Sequence, residues 1–316
     1  MWSIPWLFSR RRYRLFRQFT TTRDAVVMVR FSAFGDFLCA CGYNGVACWD
    51  VATSRPVSAP LGYAPKPSHV YPACAWLYFE ETSRHLLLLG NMKGRISAWD
   101  LSKHDTTFEH SRRNSWSTSE TQTLFIAVAQ TKVAANEVGR VAAAFGDGAV
   151  CVWTFPSLAS HDIQMVWQIS LDGAIIPKSI SINPRSQEVY VFSATGGAVT
   201  LLTPQSGDVR WTRASGPEVM SSVDVDYINS RFTCWSGDHF ELRDLQNITC
   251  IRILKTEPPI VHFPKHVAFG EGGSVIVAGS DRGKAIVYSS QSGKVLQNLP
   301  NPSGGLVQPI AVSFVQ

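Results

Sequence analysis

The sequence predicts an all-β protein, and three observations support this prediction. Short apolar segments of strand length recur along the whole chain of 316 residues. Glycine-containing turns separate these segments, and no apolar run reaches the ~18 residues of a membrane-spanning helix. Hydrophobic residues make up 45% of the chain and charged residues 17%, which is typical of a globular protein rather than a disordered one. We expect one β domain over residues 24–316, preceded by a basic segment at residues 1–23.

The central element is a hairpin pattern that occurs six times. An apolar strand ends in a tight turn with glycine, and a second apolar strand closes on an aromatic residue or leucine. Asn-Gly and Asp-Gly pairs supply the positive φ angles that such turns require. The closing residue stands five positions after the turn glycine in five hairpins and four positions after it in the first. The hairpins occupy residues 37–50, 86–100, 141–153, 189–202, 231–244 and 275–288.

Companion strands extend the hairpins to units of four strands. The closing residues follow one another at intervals of 50, 54, 49, 40 and 46 residues, close to the ~40–45 residues of a propeller blade. A strand is predicted before each hairpin, at Val26–Phe31, Cys74–Phe79, Leu124–Ala129, Ser179–Ile182, Ser222–Val225 and His266–Phe269. Another is predicted after the last four hairpins, at Met165–Ile169, Asp208–Arg213, Thr249–Leu254 and Lys294–Leu299. This organisation predicts a β-propeller.

Several motifs in these units resemble the WD40 family. Trp49-Asp50 and Trp99-Asp100 match the dipeptide for which that family is named, and Asp147 matches its frequent turn acid. Phe31–Asp36 is similar to the stretch between the first two strands of a WD40 repeat. The resemblance implies roles in repeat structure for Gly45, Trp49, Asp50, Gly94, Trp99, Asp100, Gly148 and Trp153.

The repeats are degenerate. No Gly-His dipeptide opens a repeat, and the closing tryptophan is lost after the third hairpin. We therefore do not expect the Asp–His–Ser–Trp hydrogen-bond network of well-conserved repeats. In this respect the chain resembles the degenerate WD40-like proteins that are abundant in fungi.

The number of blades is open between seven and six. Residues 309–315 are predicted to form the innermost strand of a seventh blade, and Tyr13–Phe19 is predicted to supply its outermost strand. This favours a seven-bladed plan with six complete hairpins and an incomplete last blade, as in a truncated protein. The alternative is a six-bladed ring with a spare strand.

No pattern of catalytic or metal-binding residues stands out. The eight histidines form neither His-x-x-x-His nor His-Glu-x-x-His, and no Gly-x-Ser-x-Gly or phosphate-binding loop is present. Cys39, Cys41 and Cys48 lack Cys-x-x-Cys spacing, so they are interpreted as small residues packed between blades. We predict neither enzymatic activity nor a cofactor or metal site. The net charge of +5 carries no specific signal for nucleic-acid binding.

The leading hypothesis is a cytoplasmic, non-catalytic scaffold that binds an unknown protein or peptide. The resemblance implies that the hairpin turns and the connectors entering the innermost strands share one face, which serves as the docking surface. Aromatic and arginine side chains are favoured there. The candidate residues are Tyr43, Asn44, Lys93, Asp147, Asp238, His239, Asp281 and Arg282 in turns, and His69, Tyr71, Arg112, Arg113 and Trp116 in connectors.

The N-terminal segment suggests an alternative function. Residues 1–23 hold six arginines and no acid, and an apolar stretch with Trp2, Trp6 and Phe8 precedes all of these arginines. A secretory signal has the opposite order. The alternative hypothesis is a propeller that this segment directs to mitochondria or holds in peripheral contact with a membrane. A third hypothesis is a ligand-binding or enzymatic propeller.

Overall fold

The computed structural model describes residues 12–19, 25–43, 45–58, 66–102, 107–117, 119–157, 163–302 and 304–313. Blade one contains β1 (Val26–Phe31), β2 (Phe37–Gly42), β3 (Gly45–Asp50) and β4 (Pro56–Val57). Blade two contains β5 (Ala73–Phe79), β6 (Arg84–Gly90), β7 (Arg95–Ser102) and β8 (Phe108–Ser117). Blade three contains β9 (Thr123–Val128), β11 (Gly139–Phe145), β12 (Ala149–Phe155) and β13 (Gln164–Ser170), while β10 (Lys132–Val133) pairs in parallel with β5.

The remaining three blades follow the same plan. Blade four contains β14 (Pro177–Ile182), β15 (Val189–Ser193), β16 (Val199–Leu202) and β17 (Val209–Arg213). Blade five contains β18 (Val223–Asp226), β19 (Arg231–Trp235), β20 (Phe240–Asp244) and β21 (Cys250–Leu254). Blade six contains β22 (Val267–Gly270), β23 (Val275–Ala278), β24 (Lys284–Ser289) and β25 (Val295–Pro300). Two 3-10 helices lie at Pro67–His69 and Glu271–Gly273.

The structure is a propeller of small antiparallel sheets, consistent with a WD40-like ring. The described residues form six blades, which matches the six-bladed alternative rather than the seven-bladed plan. The predicted hairpins all form, and the predicted inner and outer strands agree with the observed ones to within about two residues. The innermost strand β5 is a continuous apolar run because both of its faces are buried, whereas the outer strand β17 is largely exposed.

Glycine is required at the hairpin turns for a steric reason as well as for its backbone conformation. Gly94 has a φ of +70°, and a Cβ atom there would lie 2.3 Å from the Ser119 carbonyl oxygen. Backbone of the next connector thus approaches the turn too closely for any side chain. Gly45 and Gly148 also have positive φ angles, of 82° and 85°.

Five apolar clusters join neighbouring blades. Each cluster combines buried side chains of two adjacent blades, from blades one and two through to blades five and six. Among the described residues no such cluster joins blade six to blade one. A cavity of about 650 Å³, which we name the closure cleft, lies there instead. Its apolar lining includes Phe19, Val26, Val29, Leu38, Ala40, Trp49, Ala285, Leu299, Leu306 and Pro309.

The two terminal segments are not strands, which corrects the sequence prediction. Residues 13–19 and the described part of 309–315, up to Ser313, form no β-ladder. Tyr13 instead pairs with the Gln297 side chain, and Phe19 packs on Trp49 with the ring centroids 5.5 Å apart. Residues 12–19, which we name the N-terminal strap, therefore run from blade six to blade one without continuing either sheet.

Candidate functional site

The hairpin turns and the connectors that enter the innermost strands lie at one end of the propeller, which we name the upper face. Backbone hydrogen bonds join the two sets. Gly146 N–H donates to the Gln122 carbonyl at 2.9 Å, and the same relationship joins Gly196 to Glu218 at 2.9 Å. This end of the ring is thus a rigid surface built from every blade.

Part of the predicted docking set is exposed on this face. Tyr43, Lys93, Asp147 and Asp238 have exposed side chains, and His69 is half-buried. Asp147 also stabilises its turn, because its carboxylate accepts hydrogen bonds from Ser119 Oγ at 2.8 Å and from Ala149 N–H at 3.1 Å. Asn44 lies outside the described residues. The use of these side chains in docking stays a prediction.

Two further members of the set contact acidic side chains. His239 lies between Asp238 and Glu241, with its Nε2 3.0 Å from Glu241 Oε1. Arg282 Nε lies 3.2 Å from Glu257 Oε2, with both side chains about half exposed. The exposed Arg282–Glu257 pair contributes little to stability, so Arg282 is free to exchange partners on binding, whereas the Glu241 carboxylate that contacts His239 is buried.

Tyr71 and Asp281 are buried and offer no docking surface, which corrects their assignment. Tyr71 is only 3% exposed, and burial raises the pKa of its hydroxyl to about 12. The Asp281 carboxylate accepts the N–H groups of Ile260 at 2.8 Å and Val261 at 2.9 Å, and it pairs with Lys265 at 3.0 Å. Asp281 therefore holds the connector of residues 255–265 in place.

Trp116, Arg112 and Arg113 do not lie in a connector as predicted. All three belong to β8, the outer strand of blade two. The Trp116 ring packs on Trp153 and Phe155, at centroid distances of 5.7 and 5.5 Å, so it is part of the core between blades two and three. The polar composition of residues 103–121 concealed this strand.

Sequence reasoning missed an apolar loop on the upper face. Ile260, Val261 and Phe263 lie in the connector between blades five and six and are 58%, 39% and 43% exposed. Lys265 Nζ donates to the Phe263 carbonyl at 2.9 Å and lies 5.1 Å from the Trp235 ring centroid. We name residues 258–264 the apolar loop. In the sequence, this loop is marked by three large apolar residues that lie between prolines 258 and 259 on one side and proline 264 on the other. These prolines restrict the backbone of the loop.

The predicted repeat residues have identifiable structural contacts. Trp49, Trp99 and Trp153 are buried, and Trp99 Nε1 donates to Ser97 Oγ at 3.0 Å. Asp50 accepts from the Thr53 N–H at 2.7 Å and so closes the turn after β3. Asp100 lies 3.1 Å from Arg84 in an ion pair.

Four cysteines meet between blades one and two. Cys39 lies opposite Cys48 across β2 and β3, and Cys41 and Cys74 belong to the same buried cluster. Neighbouring thiols and burial together raise the pKa of Cys39 well above its usual value. All four side chains are buried, so they pack as small groups between the two blades, as expected. Among the described residues, no group of three or more His, Cys, Asp or Glu side chains is arranged to hold a metal ion.

The central channel contains polar residues that sequence reasoning did not assemble. It encloses about 350 Å³ and is lined by the innermost strands of all six blades. Arg30, Lys178, Asp224 and His266 face it, and Asp224 Oδ2 accepts from the Phe269 N–H at 2.7 Å. Burial, together with the positive charges of Arg30 and Lys178, lowers the pKa of His266 to about 3. The sequence signal for these channel residues was a charged residue within a predicted innermost strand, such as Arg30 in β1.

The N-terminal strap lies toward the opposite end of the blades, which we name the lower face. Its start is held at the β22–β23 turn, where Arg12 and Tyr13 both bind the Glu271 carboxylate. These contacts hold the pKa of Glu271 at about 2. Leu15 and Phe16 are 71% and 70% exposed, and the Arg17 guanidinium lies 4.9 Å from the Phe16 ring centroid.

Comparisons with known proteins add no closer relationship to this geometry. No helix within the described ranges is long and apolar enough to cross a membrane. A scan against protein-family models and a search of curated proteins both return no match. The described residues form a β-propeller, a fold that commonly serves as an interaction scaffold.

Proposed function

We propose that this propeller is a non-catalytic scaffold that binds a partner protein or peptide on its upper face. The observation that carries the proposal is the apolar loop, where Ile260, Val261 and Phe263 expose three large apolar side chains within four residues. Single exposed apolar residues are common, but grouped ones mark interaction sites. The buried pair of Lys265 and Asp281 holds the loop in shape, so little conformational entropy is lost on binding.

The test compares captured partners of the full chain and of two variants. Ile260→Ser, Val261→Ser and Phe263→Ser are combined in one variant, and Ile228→Ser in a lower-face turn is the matched control, since Ile228 is 84% exposed. Affinity capture followed by quantitative mass spectrometry is expected to show partners that the triple variant loses and the control retains. Identical sets of captured proteins for all three chains would contradict the proposal.

A second candidate function is peripheral contact with a membrane through the lower face, and a specific feature of the strap supports it. Leu15 and Phe16 project from a segment that also carries Arg12, Arg14 and Arg17 and no acid. Two large apolar side chains among arginines suit the surface of an anionic membrane. In this function the strap keeps the propeller in peripheral contact with a membrane while the upper face remains free for a partner.

Vesicle sedimentation tests the second candidate function. The full chain is expected to sediment with vesicles of phosphatidylserine and phosphatidylcholine, less so as salt rises, and not with phosphatidylcholine alone. The variant Leu15→Ser/Phe16→Ser is expected to lose binding, whereas Leu296→Ser on β25 keeps it. Unchanged binding of the strap variant, together with unchanged cellular location after deletion of residues 1–23, would exclude the membrane function.

A further inference from the structure

The contact between blade six and blade one differs from the other five contacts between blades. Apolar clusters fill those five, whereas the closure cleft leaves about 650 Å³ between Leu38 and Trp49 on one side and Ala285 and Leu299 on the other. This volume is within the ~300–1,000 Å³ of pockets that take ligands. The cleft is walled by residues of β1, β2, β3, β24 and β25, and an extended chain can run along such sheet faces.

The segment after blade six leads into the cleft along the route of an innermost strand. Val307 N–H donates to the Ser280 carbonyl at 2.8 Å, as Met220 N–H donates to the Ala194 carbonyl at 3.0 Å in the connector after blade four. Ile310–Val312 then line the central channel, as the six innermost strands do. The chain therefore places residues 309–313 where a further sheet would begin.

The backbone of this segment has no hydrogen-bond partner. Within the part of the chain that the structure describes, neither the N–H nor the carbonyl groups of Ile310, Ala311, Val312 and Ser313 are paired. An unpaired strand edge is a template for another strand, and such pairing supplies affinity through main-chain hydrogen bonds. The observation specifies a β-strand as the occupant.

The charge beside the cleft specifies the flanks of that strand. The strap borders the cleft at Phe19, and its residues 12–19 carry three arginines and no acid. Glu271 binds Arg12, but no carboxylate in the described ranges pairs with Arg14 or Arg17. An occupant with acidic residues next to its apolar stretch meets these charges.

We propose that the closure cleft binds an extended segment of a partner protein, with alternating apolar side chains and an acidic flank, which adds to residues 309–313 as a strand. The apolar side chains contact Val29, Leu38 and Ala285, and the acidic flank contacts Arg14 and Arg17. The site is separate from the upper face and does not depend on the apolar loop.

A synthetic peptide of two glutamates followed by four alternating Val-Thr pairs, labelled with fluorescein, is the probe. Fluorescence anisotropy with the full chain is expected to show saturable binding. Replacing the glutamates with lysines, or a central threonine with proline, is expected to weaken it at least about tenfold, since each change removes charge or main-chain pairing. Hydrogen exchange on the wild-type chain is expected to show slower exchange at Ile310–Ser313 when the peptide is bound.

Two variants locate the binding site. Ala285→Trp fills the cleft and Leu299→Glu places a charge in it, and both are expected to weaken peptide binding at least about tenfold. The triple variant of the apolar loop is expected to bind the peptide normally, which separates this site from the scaffold function. Three results overturn the proposal: no peptide binding, binding that both cleft variants retain, or no change in exchange at Ile310–Ser313. A dimer that Ala285→Trp abolishes would assign the cleft to a second copy of the chain and overturn it as well.

Discussion

Tyr13 and Gln297 exchange two hydrogen bonds although they lie near opposite ends of the sequence. Tyr13 N–H donates to Gln297 Oε1 at 2.9 Å, and Gln297 Nε2 donates to the Tyr13 carbonyl at 2.8 Å. The side-chain amide thus satisfies the strap backbone as a neighbouring strand would. At the other end of the strap, Phe19 contacts Trp49 of blade one. The strap therefore connects blade six to blade one, and the Tyr13–Gln297 pair is its attachment to blade six.

Gln297→Ala is expected to release the start of the strap. The change removes two hydrogen bonds, each worth about 0.5–1.5 kcal/mol, and, among the contacts of the described residues, leaves the start of the strap held only by those of Arg12 and Tyr13 with Glu271. Cleavage by trypsin after Arg12, Arg14 and Arg17 is expected to accelerate severalfold, while the urea midpoint of the whole chain changes little. Asn298→Ala, the exposed neighbour on β25, is the control. Equal cleavage rates for the two variants would show that the Gln297 amide does not hold the strap.

The Trp99–Ser97 hydrogen bond is expected to couple the two residues energetically. Ser97→Ala and Trp99→Phe each remove the bond, so a double-mutant cycle is expected to give a coupling free energy of about 1 kcal/mol. Trp99→Phe is expected to lower the free energy of unfolding more than Ser97→Ala, because it also reduces the volume of a buried ring. Trp153→Phe measures this volume effect separately. Urea unfolding checks the cycle. Strictly additive effects would mean that Trp99 contributes through packing alone.

Asp281→Asn is expected to destabilise the propeller by about 3–5 kcal/mol, because it leaves Lys265 charged and buried without its partner. Glu257→Gln, which removes exposed ion pairs with Arg282 and Lys284, is expected to cost less than about 1 kcal/mol. Guanidinium unfolding at pH 7 measures both. Similar losses for the two variants would contradict a structural role for the buried pair.

The same pair has an acid dependence. Burial opposes ionisation of Asp281, but hydrogen bonds from Val261, Lys265 and Ile260 hold its pKa below the usual 3.8. A lowered pKa stabilises the folded state above pH 3.8, and this contribution is lost as pH falls further. Unfolding measured between pH 5 and pH 3 is expected to show a steeper loss of stability for the wild type than for Asp281→Asn. Parallel curves would exclude this titration as the cause.

His266 is expected to make stability depend on pH between 7.5 and 5.5. The folded chain keeps His266 neutral down to pH about 3, whereas the unfolded chain takes up a proton below the ordinary pKa of 6.5. The unfolded state is therefore favoured as pH falls through 6.5. His266→Gln is expected to flatten this dependence in urea unfolding, and His262→Gln, an exposed control, to preserve it. A slope unchanged by His266→Gln would contradict the assignment.

The local elements of the fold were predictable because their signals are local. Gly94, for example, ends one strand and begins the next within a few residues, and its positive φ follows from turn chemistry. Strand β8 was missed because it is outermost and polar, so Arg112 and Arg113 carry no apolar periodicity. Tyr71 and Asp281 were assigned to the surface because sequence position places a residue in a loop but does not reveal whether its side chain turns inward.

The sequence by itself determined the all-β class and the six hairpins, and its resemblance to the WD40 family implied a face where turns and connectors meet. Only the tertiary structure decided the number of blades, the burial of Asp281 with Lys265, and the contact between blade six and blade one. Hairpins depend on residues that are close in sequence, whereas closure of the ring depends on the total angle that the six blades span around the propeller axis. In this ring Trp49 faces Leu299 across an open cleft. These residues are 250 positions apart, so no local sequence pattern encodes their relationship.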